Sequence, residues 1–158
     1  TTTFMSPNGP LCLGSYAEQE MLIAEAMIRG WANGGKAEAT THLENGVTGT
    51  MNNTMYSISD GEIQNYLNNE VPDLTTLSDR EALEVVWREL YIAYIFRPQE
   101  GFTQQKRVLY PEIIFPNGAV LDDFIKRWPI PSDEISSNPK AEQYKKELTA
   151  PMWIDKKE

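Results

Sequence analysis

Apolar residues recur along the first third of the chain at steps of three and four. In YAEQEMLIAEAMIRGW, Tyr16 to Trp31, the residues Ala17, Met21, Ala24, Ile28 and Trp31 fall on one helix face. Ala24 and Ala26 are small enough to admit a second helix at close range. Gly30 and the turn Asn33-Gly34-Gly35 predict where this helix stops. A second helix is predicted beyond the turn, with Ala37, Thr40, Val47 and Met51 on its apolar face and Leu43 beside them. So short a turn sets the two antiparallel, as an αα-hairpin over residues 16–53, which is the form of one tetratricopeptide-type repeat. A lone hairpin cannot bury its face, so it needs neighbouring helices. No second copy recurs at a fixed period.

Two capping-box patterns follow. Ser59-Asp60-Gly61-Glu62 opens a short helix through Ile63, Tyr66 and Leu67, and Ser78-Asp79-Arg80-Glu81 opens a stronger one. The second carries a broad stripe of Ala82, Val85, Val86, Ile92 and Phe96, and Arg97-Pro98 is expected to break it. Beyond it, Pro111, Pro116, Asn117-Gly118, Pro129 and Pro131 predict loop. The apolar pieces Ile113–Phe115 and Ala119–Leu121 fit either a small hairpin or packed loop. Asn138-Pro139 suits an N-cap and first helical residue, opening a last polar helix through Leu148. The expected fold is mostly α, a tetratricopeptide-like hairpin plus further helices and long ordered loops.

At 158 residues the chain fits one domain, 1–158, and is long enough for a real core. The net charge of -9 and pI near 4.7 repel phosphate backbones and anionic lipid, so no nucleic acid is expected as a partner. Cys12 is the one cysteine and His42 the one histidine. An internal disulfide and zinc sites built from several Cys or His ligands are therefore excluded. His42 is expected to be a solvated helix residue. No apolar run reaches the roughly 18 residues that span a bilayer. The stretch TTTFMSPNGPLCLG has no basic start and no initiator Met, and reads as an interior piece of a longer chain.

No nucleophile elbow, phosphate loop, dinucleotide fingerprint or HExxH occurs, and no cofactor is expected. Asp122-Asp123 and the glutamates offer carboxylates for glycoside cleavage, but among 23 acidic residues such pairs arise by chance. Glu18, Glu20 and Glu25 fit a solvated or salt-bridged face. Glu25 lies near the apolar face and, if buried, needs a partner, with Arg107 and Arg127 as candidates. Trp31 and Trp87 are expected in the core. Trp128 and Trp153, near prolines, fit packed or exposed positions.

Four segments carry a family resemblance. Tyr16-Ala17-Glu18 with Leu22-Ile23-Ala24-Glu25-Ala26 and Arg29-Gly30-Trp31 resembles the "YAE…LLAEAxxRGW" segment of the SusD/RagB family, in its SusD-like subgroup. In the same order, Glu84 to Ala93 is similar to the family helix ending in "QKYIAL". Glu100-Gly101-Phe102 with Lys106-Arg107-Val108-Leu109-Tyr110-Pro111 is similar to "EAW…RRTGYP". Lys126-Arg127-Trp128-Pro129 with Glu134 and Asn138 is similar to "RxxYPxxExxxN". The third segment departs from its pattern, with Lys106 for the first arginine, Val108 for threonine and Leu109 for glycine. A Lys lacks the bidentate contact of an Arg.

The resemblance spans about Tyr16 to Asn138 and implies the C-terminal portion of a much longer surface lipoprotein of Bacteroidetes. It implies mainly structural roles for Glu25, Arg29, Trp31, Arg107, Arg127, Pro129, Glu134 and Asn138. Arg107 and Arg127 are expected to tie loops to helix ends or carboxylates, and Glu134 to cap or salt-bridge locally. It implies no catalytic residue, no metal and no ligand residue transferable by motif. The implied function is non-catalytic nutrient capture at the outer membrane, the ligand being a glycan or oligosaccharide, less often a peptide. The rest of its own chain and a SusC-type TonB-dependent transporter are the implied partners. A helical-repeat module that binds only protein is the alternative. A glycosidase would need two carboxylates flanking one cleft.

Overall fold

The computed structural model describes residues 12–53 and 58–153. Read from its length as one domain, the chain forms two compact units, Thr1–Glu112 and Ile113–Glu158. The first holds α1 (Tyr16–Ile28), α2 (Gly35–Met51), α3 (Asp60–Glu70), a 3-10 turn at Leu74–Thr76, α4 (Asp79–Ala93) and α5 (Pro98–Val108). The second holds α6 (Ser132–Ser137) and a 3-10 turn at Glu142–Tyr144. The described residues contain no strand, so the fold is mostly α, and Ile113–Phe115 and Ala119–Leu121 are loop around a turn at Gly118 (φ +77°).

Local chemistry sets the helix starts. Ser15 caps α1 by accepting from the Glu18 amide at 3.1 Å. Ser59 and Ser78 close full capping boxes with Glu62 and Glu81 at the heads of α3 and α4. α1 ends in a Schellman arrangement. Gly30 takes φ +71°, the Trp31 amide donates to Ala26 O at 2.8 Å and the Gly30 amide to Met27 O at 3.0 Å. This reversal swings Trp31 off the apolar face and leaves it 73% exposed, against the expectation of a core residue.

α1 and α2 form the expected hairpin at very short range. A Cβ added at Gly46 would lie 2.7 Å from Met21 Cγ and 3.1 Å from Ala17 O. The buried face of α2 is therefore Ala39, Leu43, Gly46 and Val47, while Ala37 is exposed and Thr40 and Met51 are half-buried. α4 closes the core with Ala82, Val86, Trp87 and Leu90. It stops at Ala93, and Ile92 and Phe96 from the expected stripe are both 46% exposed.

Two helix assignments change. Pro98 does not merely end α4; it is the first residue of α5, where its missing N–H costs nothing. α5 has few apolar residues, and Gln104 anchors it by donating from Nε2 to Trp87 O at 2.8 Å. Asn138 is the C-cap of α6 and opens no helix; the region up to Leu148 has only the 3-10 turn. Proline at 131 precedes α6, whose first turn carries Asp133 and Glu134.

Candidate functional site: carboxylate clamps, an arginine-tryptophan stack and an apolar groove

The three glutamates of α1 point to three different elements. Glu18 accepts from Arg97 Nη1 at 2.7 Å and from the Tyr94 hydroxyl at 2.9 Å. Glu20, 7% exposed, lies 2.8 Å from His42 Nδ1 and accepts from Asn45 Nδ2 at 3.3 Å. His42 is thus a half-buried partner on α2 and not a solvated residue. Glu25, 2% exposed, takes both Arg107 Nη1 at 2.6 Å and Nη2 at 2.7 Å, and Arg29 Nε at 2.8 Å.

Burial alone would raise the Glu25 carboxyl. The hydrogen bonds and charge of Arg107, then those of Arg29, outweigh it and hold the group below the usual carboxylate range. Glu18 behaves likewise: desolvation raises it, and Arg97 with Tyr94 brings it down. The Tyr94 phenol is pushed up by burial and then by Glu18. A fourth carboxylate, Glu89 on α4, is 3% exposed. It accepts from the Tyr66 hydroxyl at 3.1 Å and from Arg88 Nε at 2.9 Å. Each buried carboxylate therefore already has its donors. That arrangement joins helices; it does not leave an acid poised for proton transfer.

Arg29 also joins two indoles. Its guanidinium lies 4.9 Å from the Trp31 ring centre and 5.5 Å from that of Trp87, and Arg80 lies 5.1 Å from Trp87. Trp31 is the solvent-facing end of this stack.

Between α1, α2, α3 and α4 lies a groove of about 380 Å³, lined by residues that include Met21, Val47, Met51, Tyr66, Ile92 and Phe96. Its rim includes exposed apolar side chains, with Ile95 66% exposed.

Among the residues that the sequence singles out, Glu25, Arg29, Trp31 and Arg107 come together in the first unit. Arg127, Pro129, Glu134 and Asn138 lie in the second. There Arg127 donates to Ala150 O at 2.9 Å and Pro151 O at 2.7 Å, tying down a later loop. Glu134 accepts from Asn138 Nδ2 at 2.7 Å within and just after α6. Pro129 is exposed, as are Trp128 at 90% and Trp153 at 82%. Sequence reasoning misses the Tyr66–Glu89 pair and the position of Trp87 between two arginines. The seven-residue step from Arg80 to Trp87 along α4 sets those two on one face, but no spacing brings in Arg29 from the end of α1. Among the described residues no group of His, Cys, Asp and Glu is arranged to hold a metal ion, and no helix is long and apolar enough to cross a membrane.

An α-helical hairpin with flanking helices and loop-rich remainder defines a helical scaffold of tetratricopeptide-like type. The SusD-like family described as starch-binding associating with outer membrane matches residues 1–130, and the chain belongs to it. The chain is similar in structure to a SusD homolog from Bacteroides fragilis NCTC 9343, with TM-score 0.67 and 23% identity over 89% of this chain and 34% of that one. It is similar also to a chitin-binding protein, with TM-score 0.69 and 24% identity over 89% of this chain and 32% of that one. The chain thus spans about a third of the length of these structures. No curated protein matches the sequence.

Proposed function

We propose that this chain is the C-terminal part of a non-catalytic, surface-exposed outer-membrane lipoprotein that binds a glycan or oligosaccharide and passes it to a SusC-type TonB-dependent transporter. The family match over residues 1–130 carries this reading. The likeness to a chitin-binding protein supports a polysaccharide ligand. The commitment of the buried carboxylates to arginine, tyrosine, histidine and asparagine partners supports binding without hydrolysis. Trp31, Trp128 and Trp153 offer exposed indoles, the side chains that stack on the CH faces of sugar rings. Migration of the longer polypeptide in gels cast with starch or chitin derivatives tests the reading. Retardation by a polysaccharide without release of sugars is expected, and unretarded migration on a broad glycan panel overturns it. Co-purification with the transporter tests delivery separately.

The groove favours a second reading, a module that binds only protein. Retention by a protein partner with no retention by any glycan would decide for it.

A further inference from the structure

We infer that Asn117 is a site of spontaneous covalent modification, where the side chain loses ammonia to give aspartyl and isoaspartyl products. An asparagine followed by glycine exposes the next backbone nitrogen most, since glycine carries no Cβ to shield it. The chain has four such pairs, at 8–9, 33–34, 45–46 and 117–118, and the first lies outside the described residues. The sequence makes the other three equal; the structure separates them. The chemistry needs only water. Hydroxide or another base removes the glycine N–H proton. The nitrogen attacks Cγ of the preceding asparagine, the Cγ–Nδ2 bond breaks and ammonia leaves, closing a succinimide ring. Water then opens either ring carbonyl. One opening leaves aspartate; the other routes the main chain through the side-chain carbon and leaves isoaspartate. Nothing is oxidised or reduced. Ring closure has two structural requirements: a backbone free to rotate between the two residues, and a glycine N–H that holds no other bond.

Asn45 meets neither. It lies within α2, where the Gly46 N–H belongs to the helix ladder. Its Nδ2 donates to Glu20 Oε2 at 3.3 Å, and Gly46 is buried against Met21. Asn45 reacts only when α2 opens locally. Asn33 is exposed but stands in the corner between α1 and α2. Before it, the Trp31 and Ala32 amides donate to Ala26 O at 2.8 and 3.2 Å; after it, Gly34 is the N-cap of α2 with φ +119°. A Cβ built on Gly34 would lie 2.5 Å from Glu38 Oε2, so a carboxylate stands beside the nitrogen that has to become negative. Asn117 meets both requirements. Pro116, Asn117, Gly118 and Ala119 are all exposed, with loop on either side. The Ala119 amide closes their turn on Pro116 O at 3.4 Å, a long bond, and that closure leaves the Gly118 N–H unused. Gly118 holds φ +77°, and a Cβ added there would meet nothing within 4 Å, so the space beside the attacking nitrogen is open. The products add a carboxylate to this loop and, in the isoaspartyl form, one more carbon to its main chain.

The test ages the full-length polypeptide at mildly alkaline pH and follows ammonia loss by peptide mass. Trypsin isolates residues 108–126, where Asn117 is the one amide side chain, and residues 30–36, where Asn33 is the one. Asn45 is located within the peptide 37–80 by fragmentation. Conversion in 108–126 is expected about tenfold faster, or more, than at Asn33 or Asn45, each tenfold being about 1.4 kcal/mol of barrier. In urea the three sites should react within a few-fold of one another, because each then has only its glycine neighbour to set the rate. Equal rates in the folded chain overturn the inference, as does a 108–126 peptide that stays unmodified while the urea-unfolded chain converts. An isoaspartyl methyltransferase labels the product. Asn117→Gln is expected to remove that label from 108–126; label that survives undiminished belongs to Asp122 or Asp123 and overturns the assignment.

Discussion

Removing Arg107 separates a buried carboxylate from its main cation. Glu25 has a side chain 3% exposed, and the Arg107 fork delivers two hydrogen bonds of 2.6 and 2.7 Å to it across 82 residues of sequence. Breaking a fully buried pair costs about 3–5 kcal/mol. Two features lower that figure. The Arg107 side chain is 41% exposed, so solvent screens its charge, and Arg29 still holds Oε1 at 2.8 Å. The expected loss for Arg107→Ala is about 2 kcal/mol, a fall in melting temperature of about 4–8 °C for a chain of this size. Arg107→Lys should recover less than half, because an ammonium cannot make the paired contact. The sign with pH follows from the lowered carboxyl. Its stabilisation is complete above the unfolded value of 4.5 and is lost as pH falls through the lower folded value. Thermal melts of wild type and Arg107→Ala between pH 7 and pH 3 should therefore converge on the acid side. A gap that stays constant across that range, or a loss under about 0.5 kcal/mol at pH 7, would refute the clamp.

Four further substitutions test the packing, the caps and one left-handed residue. Gly46→Ala forces a methyl to 2.7 Å from Met21 Cγ; crowding of about 1–3 kcal/mol exceeds a helix-propensity gain of about 1, so urea midpoints should fall. Gly61→Ala, with open space around it, should raise the midpoint by the propensity term, and equal shifts at the two sites would deny the close approach. Ser78→Ala removes the cap that bonds the Glu81 amide and should cost about 1 kcal/mol, with faster amide exchange confined to the first turn of α4. Leu109 holds φ +54° at the end of α5 while 56% exposed. Leu109→Gly should relieve about 1 kcal/mol of left-handed strain, and a lower denaturation midpoint would contradict that.

The helix starts were legible because their chemistry is local. Ser59 and Ser78 meet Glu62 and Glu81 within four residues, whatever the rest of the chain does. α1 and α2 were legible from period, though α2 turns Gly46 inward beside Leu43, a choice made by the approach of Met21. α5 was not legible. Its first residue is a proline that reads equally as a stop, and its buried positions, Gly101, Gln104 and Val108, share one helix face but make no apolar stripe. Trp31 reads as core by spacing, but Gly30 reverses the backbone one residue earlier. For Glu25, burial predicts the need for a cation. The choice between Arg107 and Arg127 depends on α5, since Arg127 spends its guanidinium on the carbonyls of Ala150 and Pro151. The departure at Leu109 from the glycine of the resembling motif falls at the one non-glycine residue with positive φ among those described.

Arg29 has one side chain and two attachments. Its Nε is fastened to Glu25, and its guanidinium rests against the indoles of Trp31 and Trp87. Glu25 is thus the shared anchor of two things that lie far apart in the sequence: the arginine that reaches it from α5 and the cation that rests against two indoles. One carboxylate of α1 fixes both the seat of a later helix and the charge beside an exposed tryptophan.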